Sequence, residues 1–447
     1  MTILKDAVEA VTNRRQDYQE AEAYYEGEVP EVFATRRLRR ALRTTGEAGH
    51  LNFCRPVIDA VNDRLELANI IGSTQAATTA VNRVWQHNEL GLEAQEIHRK
   101  ALTYGDCYAA VWPGEDGTLQ VSYNSPTTMR LVYDPENPRK KLYAVKVWRQ
   151  DEQTHRLNIY TATEIRKYVA NTAELTEGTQ WSSAGSVENP WNEVPVFHFR
   201  TQRPFGRPEH KDAYDAQNAI NKLFITNMFT VDYQGAPQRY ALSVAGDSEI
   251  SDFDESDTDR ENIGSLKNGP GELWYLKGVS QVGQFTPADA DTFWKPIMAI
   301  VRSMASLTST PLHYFERANM PSGNALRTAE APLLKKVRDR QASFGSTWRE
   351  IFRFVLKVEG INGDVDVFWK EVESLDELER WDVALKKINA GLSHQQALRE
   401  GGYADTQIEK IMAERTAEAA AGLYYSRAPQ VRVNESADET TPKESTE

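Results

Sequence analysis

The sequence predicts a predominantly helical α+β protein, and three observations carry that prediction. Segments between residues 106 and 200 alternate apolar and polar residues and are separated by Gly, Pro and Asn-Pro punctuation. Long stretches on both sides place apolar residues at 3.6-residue spacing. Strands gathered in one block and flanked by helices describe segregated layers, not the strict alternation of an α/β fold. At 447 residues the chain can bury a large core in two or three domains.

Composition narrows the class. With 40% hydrophobic and 26% charged residues the chain reads as folded and soluble. No apolar run approaches the ~18 residues needed to cross a bilayer, and the N-terminus "MTILKDAVEAVTNRRQDYQE" lacks a signal-peptide core. Cys54 and Cys107 form no disulfide framework and suit a reducing compartment. The net charge of −13 confines any nucleic-acid contact to local strips, because such affinity comes from neutralising phosphates.

Taken in order, residues 5 to 26 read as one helix. "TRRLRRALR" follows, with arginines at 36, 37, 39, 40 and 43, either a solvated face or a strip for phosphate or a neighbouring subunit. "NFCRPVIDAVNDRL" (52 to 65) and "NELGLEAQEIHRKALTYG" are helical, the second stopped by Gly105. "DCYAAVWP", "LQVSYN", "RLVYD", "LYAVKVWR" and "LNIYTATEIRKYV" build an antiparallel sheet closed by "VPVFHFR". The next helix aligns Ala213, Ala216, Ile220, Leu223, Met228 and Val231, with Asn218 and Asn221 opposite. A short mixed segment leads to the capping box "TPAD" at Thr286 to Asp289 and a helix lined by Phe293, Ile297, Ile300, Met304 and Leu307, which Pro296 should kink. A further long helix, locally basic and with Pro332 near its start, sets Leu333, Val337, Phe344, Trp348, Ile351 and Val355 on one stripe ending at Gly360. These faces, at 213 to 231 and 333 to 355, exceed what one domain would bury alone and point to a head-to-tail ring. "DVDVFWKEV" is a strand, and two short helices follow, the second opening at the Ser393-x-x-Gln396 box. The acidic tail 434 to 447 has no apolar residue to bury and reads as disordered.

Catalytic motifs are missing. No Gly-Lys dipeptide exists to build a P-loop, no His pair or HExxH to hold zinc, and no G-x-S-x-G elbow. His98 and His198 fall in helix and strand patterns as packing residues. Residues 247 to 262 carry eight acids, and Asp252, Asp254 and Ser256 fit the start of a calcium loop. Asp257 stands where the turn glycine belongs, which favours a solvated acidic loop. The sequence therefore predicts no enzyme, cofactor or metal. A metal-dependent nucleic-acid enzyme using the acidic run remains an alternative.

The order of these blocks resembles the portal proteins of tailed bacteriophages, the siphophage type of Gram-positive hosts. The resemblance rests on "HRKALTYGDCYAAV", "STPLHYF" and "MPSGNALR" and covers about residues 20 to 420. It implies a portal-like subunit with an α+β wing at 1–206, a first stem helix at 207–240, a small mixed clip at 241–285 and a second stem helix at 286–308. A tunnel loop at 309–325, the long wing helix and strand at 326–375, a helical crown at 376–424 and the acidic tail 425–447 complete it. It further implies a ring, twelve subunits in this family, at one capsid vertex of the virion. Double-stranded DNA is packaged and ejected through it, with the terminase large subunit, a head-completion or adaptor protein, and the major capsid and scaffolding proteins as partners. Assembly takes place in the host cytoplasm, without a membrane; the alternative within this resemblance is a head-assembly structural protein without a DNA channel.

The segment "LHYFERANMPSGNALR" (312 to 327) is then the candidate site. Pro311 ends the preceding helix, and Gly323 with Asn324 turns the chain into the next. His313, Tyr314, Phe315, Glu316, Arg317, Asn319, Ser322 and Gly323 would face the DNA channel. Arg317 would make one weak phosphate contact per subunit, and Glu316 would keep it from becoming a clamp. The competing expectation is a loop packed under the wing by Leu312, Tyr314 and Phe315.

Overall fold

The first departure from the expected pattern comes at Thr12 and Asn13, two weak helix formers. The Thr12 hydroxyl donates to the carbonyl of Val8, and Arg14 leaves helical geometry at φ −113°, ψ 7°. The single helix expected over 5 to 26 is thus two, α1 (Thr2–Thr12) and α2 (Arg15–Glu26). The computed structural model describes residues 2–28, 51–176, 178–234, 239–242, 281–284, 291–316, 323–372, 382, 385–400 and 405–420. Its compact units are 1–373 and 374–447. The arginine strip 35–43, the acidic run 247–262, the Thr286 capping box and the tail lie outside the described residues.

Asn52 caps α3 (Cys54–Asn62) by accepting from the amides of Cys54 and Arg55. Strand β1 (Leu67–Gly72) and helix α4 (Gln75–His87), capped by Thr74, were not legible as separate elements. Helix α5 (Leu90–Tyr104) ends at Gly105, as its sequence predicts. Gly105 sits at φ +83°, and a Cβ on Gly206 would lie 1.7 Å from the Gly105 carbonyl oxygen. Only glycine fits that crossing.

The strands form two main sheets instead of one. β2 (Asp106–Pro113), β3 (Leu119–Asn124) and β9 (Val196–Arg200) pair antiparallel in the order β3-β2-β9. β4 (Met129–Tyr133), β5 (Lys141–Asp151), β6 (Thr154–Tyr160), β7 (Glu164–Asn171) and β8 (Ser182–Glu188) form a five-stranded meander. The run "LNIYTATEIRKYV", expected as one strand, is a hairpin. The Thr161 hydroxyl accepts from the Glu164 amide and donates to the Glu164 carbonyl, turning the chain between β6 and β7. β8 is exposed throughout and carries no alternation to read. β2 is buried on both faces, which explains its near-continuous apolar run.

Helices α6 (Tyr214–Gln234) and α7 (Asp291–Leu307) share a second core of Ile220, Ile297, Val301 and Met304 with Tyr24, Cys54 and Tyr214. Two expected faces need correction. Asn221 points inward, 2% exposed and bonded to Gln217, whereas Met228 on the expected apolar face is 44% exposed. Leu307 is likewise 65% exposed, and Val301, outside the expected stripe, is buried. α7 runs on through Pro296.

Helix α8 (Asn324–Val358) lays its whole predicted stripe, Leu333 to Val355, against β9, β2, α4 and α5 of the same unit, with every one of those six side chains 0% exposed. The surplus apolar face expected there does not exist, and it cannot be the ground for a ring. His98 locks this core. Its Nδ1–H donates to Leu65 O at 3.0 Å and its Nε2 accepts from Trp348 Nε1 at 2.8 Å. β12 (Val365–Trp369) pairs with β1, and a short β10 (Arg239–Leu242) pairs with β11 (Gln281–Gln284). In the second unit the Ser393 hydroxyl accepts from the Gln396 amide and opens α9 (His394–Glu400), followed by α10 (Asp405–Ala420).

Candidate functional site

The candidate segment begins where α7 ends. Ser309 adopts φ +52°, the Thr310 amide reaches back to Ala305 O at 3.0 Å and the Ser309 amide to Ser306 O at 3.3 Å. That is a Schellman termination, with serine in the left-handed position that glycine more often takes. The Thr308 hydroxyl donates to Met304 O at 2.8 Å, and Pro311 follows in extended geometry. Helix termination thus comes from residues 305 to 310 as much as from the proline that the sequence pointed to.

Leu312–Tyr314 then forms one 3-10 turn. Leu312 and Phe315 pack on the second core, with Phe315 6.2 Å from the Phe53 ring, and Tyr314 packs on the main core under the Arg64 guanidinium at 5.5 Å. His313 lies 3.4 Å from Glu330, its side chain 10% exposed, and Glu316 is half-buried. His313, Tyr314, Phe315 and Glu316 are each half-buried at the base of the segment. Gly323, at φ +54°, precedes α8 and is exposed. Arg317, Asn319 and Ser322 lie outside the described residues.

The supports of this base escaped the sequence reading. Arg64 at the end of α3 pairs with Glu330 of α8 at 3.0 Å. One turn and a half further along α8, Lys336 donates to the Thr308 carbonyl that closes α7. Lys336 also pairs with Glu209 at 3.1 Å, and Arg340 grips the same carboxylate at 2.8 Å. Burial works against the Glu209 charge, but these two cations prevail and hold its pKa below the usual range. The signal for this cluster was the local basic excess of the helix, part of which is consumed internally.

A second polar cluster lies where α2 meets the sheets. Asp106, 0% exposed, accepts from Arg14 at 3.0 Å, Tyr18 at 2.7 Å, His198 Nε2 at 2.8 Å and the Gly206 amide at 2.6 Å. Desolvation opposes its charge, yet His198 and the other donors keep its pKa below the ordinary carboxylate value. His198 passes the chain on through Nδ1 to the Tyr133 hydroxyl at 3.0 Å, and burial holds the imidazole neutral by lowering its pKa. Every member is satisfied within the fold and the carboxylate is sealed from solvent, so the network ties α2, β2, β9 and β4 together. His98 and His198 are packing residues, as their patterns indicate. Both cysteines are free and buried. Among the described residues no group of three or more His, Cys, Asp or Glu is placed to hold a metal ion, and no helix is long and apolar enough to cross a membrane.

Comparison with known proteins follows this geometry. The family model described as "Phage portal protein, SPP1 Gp6-like" matches residues 4–420, and the chain belongs to that family. Similar proteins include the portal proteins of Mycobacterium phage D29 and Mycobacterium phage L5, each 22% identical over 94% of this chain and 89% of the relative. Among solved structures, one chain from the neck of an empty gene transfer agent particle, computed with C6 symmetry, is 13% identical with a TM-score of 0.48. It covers 83% of this chain and 95% of that one. The α+β class and the portal resemblance read from the sequence both hold. The family is structural, not enzymatic, and its members are components of the phage particle.

Proposed function

We propose that copies of this chain close head to tail into a ring, twelve in number, at one capsid vertex, and that double-stranded DNA passes through its centre at packaging and ejection. The observation that carries this reading is the family match over residues 4–420. On this reading 1–206 and 326–375 form the wing, 207–240 and 286–308 the stem, 241–285 the clip and 376–424 the crown. The terminase large subunit and, later, a head-completion or adaptor protein dock on the assembled ring, and the major capsid and scaffolding proteins surround it. Assembly proceeds in the host cytoplasm before the ring enters the virion. Residues 309–325 act as the tunnel loop.

The anchorage described above supports a loop held firmly at both ends. Glu316 is fixed on one side and α8 on the other through Glu330 and Lys336. Contact with DNA is then the task of Arg317, Asn319 and Ser322, while His313, Tyr314 and Phe315 support them. Arg317→Ala, or shortening within 317 to 322, should leave assembly intact and reduce packaged or retained DNA, measured as genome content per particle. Normal genome content in such particles would remove DNA contact from the role of this loop.

A further inference from the structure

Four cations, Arg139, Lys141, Arg200 and Arg203, converge on a small cavity of ≈ 40 Å³ where the β4–β5 turn, β9 and α8 meet. Glu350 is the single carboxylate in its lining. In a chain of net charge −13 this is a local concentration of positive charge. The walls are fixed by bonds within the fold. Thr347 donates to His198 O at 3.0 Å, Ser343 donates to Arg200 O at 2.8 Å, and Tyr133 is held by His198. Lys141 is engaged by Glu350 at 3.4 Å and lies 4.1 Å from the Phe197 ring centroid, and Arg200 spends one N–H on Pro204 O at 2.9 Å. Arg139 and Arg203 stand at the exposed rim, and among the described residues neither guanidinium has an ion-pair or hydrogen-bond partner.

We propose that this cavity is an oxyanion site that takes a phosphate group, gripped by the Arg139 and Arg203 guanidiniums over a floor supplied by Lys141 and Arg200. A space of this size suits one small oxyanion. Guanidinium groups match phosphate oxygens in paired, charge-assisted bonds, and two that lack carboxylate partners are ready to make them. Occupancy would join the β4–β5 turn, β9 and α8 through one ion and stabilise this part of the body by mass action. The phosphate could belong to a free ion or to a polynucleotide, and the site chemistry is the same for both. This inference does not rest on the tunnel-loop reading.

Calorimetric titration of the full chain with inorganic phosphate, at constant ionic strength in chloride, tests it. The expected result is saturable binding at one site per chain, weakened at least about tenfold in Arg139→Gln/Arg203→Gln. The two substitutions fall on exposed rim residues and keep the fold. A 5′-phosphorylated oligonucleotide binding more tightly than its 5′-hydroxyl counterpart would assign the phosphate to a polynucleotide, and phosphate binding with no such difference would assign it to the free ion. No saturable phosphate binding, undiminished binding in the double variant, or preference for an acidic peptide over phosphate would overturn the proposal.

Discussion

Replacing Asp106 by alanine should destabilise the body of the protein by about 3–5 kcal/mol, the cost of removing one partner from a buried ionic network. The variant would leave Tyr18, His198 and the Gly206 amide, all buried, and the partly exposed Arg14 without their shared acceptor. Because those donors come from α2, β9 and the 201–210 loop, the loss should loosen the docking of the N-terminal helices along with overall stability. Asp106→Asn retains one acceptor oxygen and the volume, so it should fall between alanine and the native residue. Denaturant unfolding followed by tryptophan fluorescence measures both. An Asp106→Ala midpoint within 1 kcal/mol of the native protein, on the scale expected for a surface substitution, would show that the network is not structural.

Acid should weaken the fold well before carboxylates titrate. Burial depresses the pKa of His98 to about 3 and of His210 to about 4, and lowers that of His198. In the unfolded chain the same imidazoles titrate near 6.5. The folded values are depressed, so the stability these residues contribute is fully present above about pH 6.5 and is lost as pH falls toward the folded values. For His98 and His210 the slope inside that window is about 1.4 kcal/mol per pH unit each, about 3 kcal/mol per pH unit together, and His198 acts in the same direction. Asp63, whose carboxyl burial pushes up, opposes this trend at lower pH. Unfolding midpoints measured at pH 7 and pH 5 should differ strongly, and a pH-independent midpoint over that range would contradict the burial of these three residues.

The elements that the sequence made legible are those with one clear apolar period. The α8 stripe from Leu333 to Val355 and the strands β2 to β5 fall where periodicity placed them. Failures have separate causes. The break after Thr12 rests on a weak local signal, Thr12 and Asn13, and Arg14 beside it bonds Asp106, 92 residues away, a contact no local pattern encodes. The β6–β7 turn is made by one threonine hydroxyl without glycine or proline. Exposed β8 has no face to alternate. On α6 the periodicity assigned Asn221 to solvent, but a buried hydrogen bond to Gln217 keeps it inside.

The candidate loop shows the same limit. Its aromatic side chains Tyr314 and Phe315 pack on two different cores, contacts that a reading of the loop by itself does not reveal. Its ionic anchors, Arg64 to Glu330 and Lys336 to Glu209, join residues 266 and 127 positions apart, and a local reading of charge cannot pair them.

Electron imaging of the purified full-length protein, with end-on particles averaged without imposed symmetry, tests the central claim most directly. The account predicts closed rings of twelve repeats around a central opening wide enough for double-stranded DNA. Uniform particles of single-chain size at micromolar concentration and moderate salt, or closed assemblies with no central opening, would contradict it.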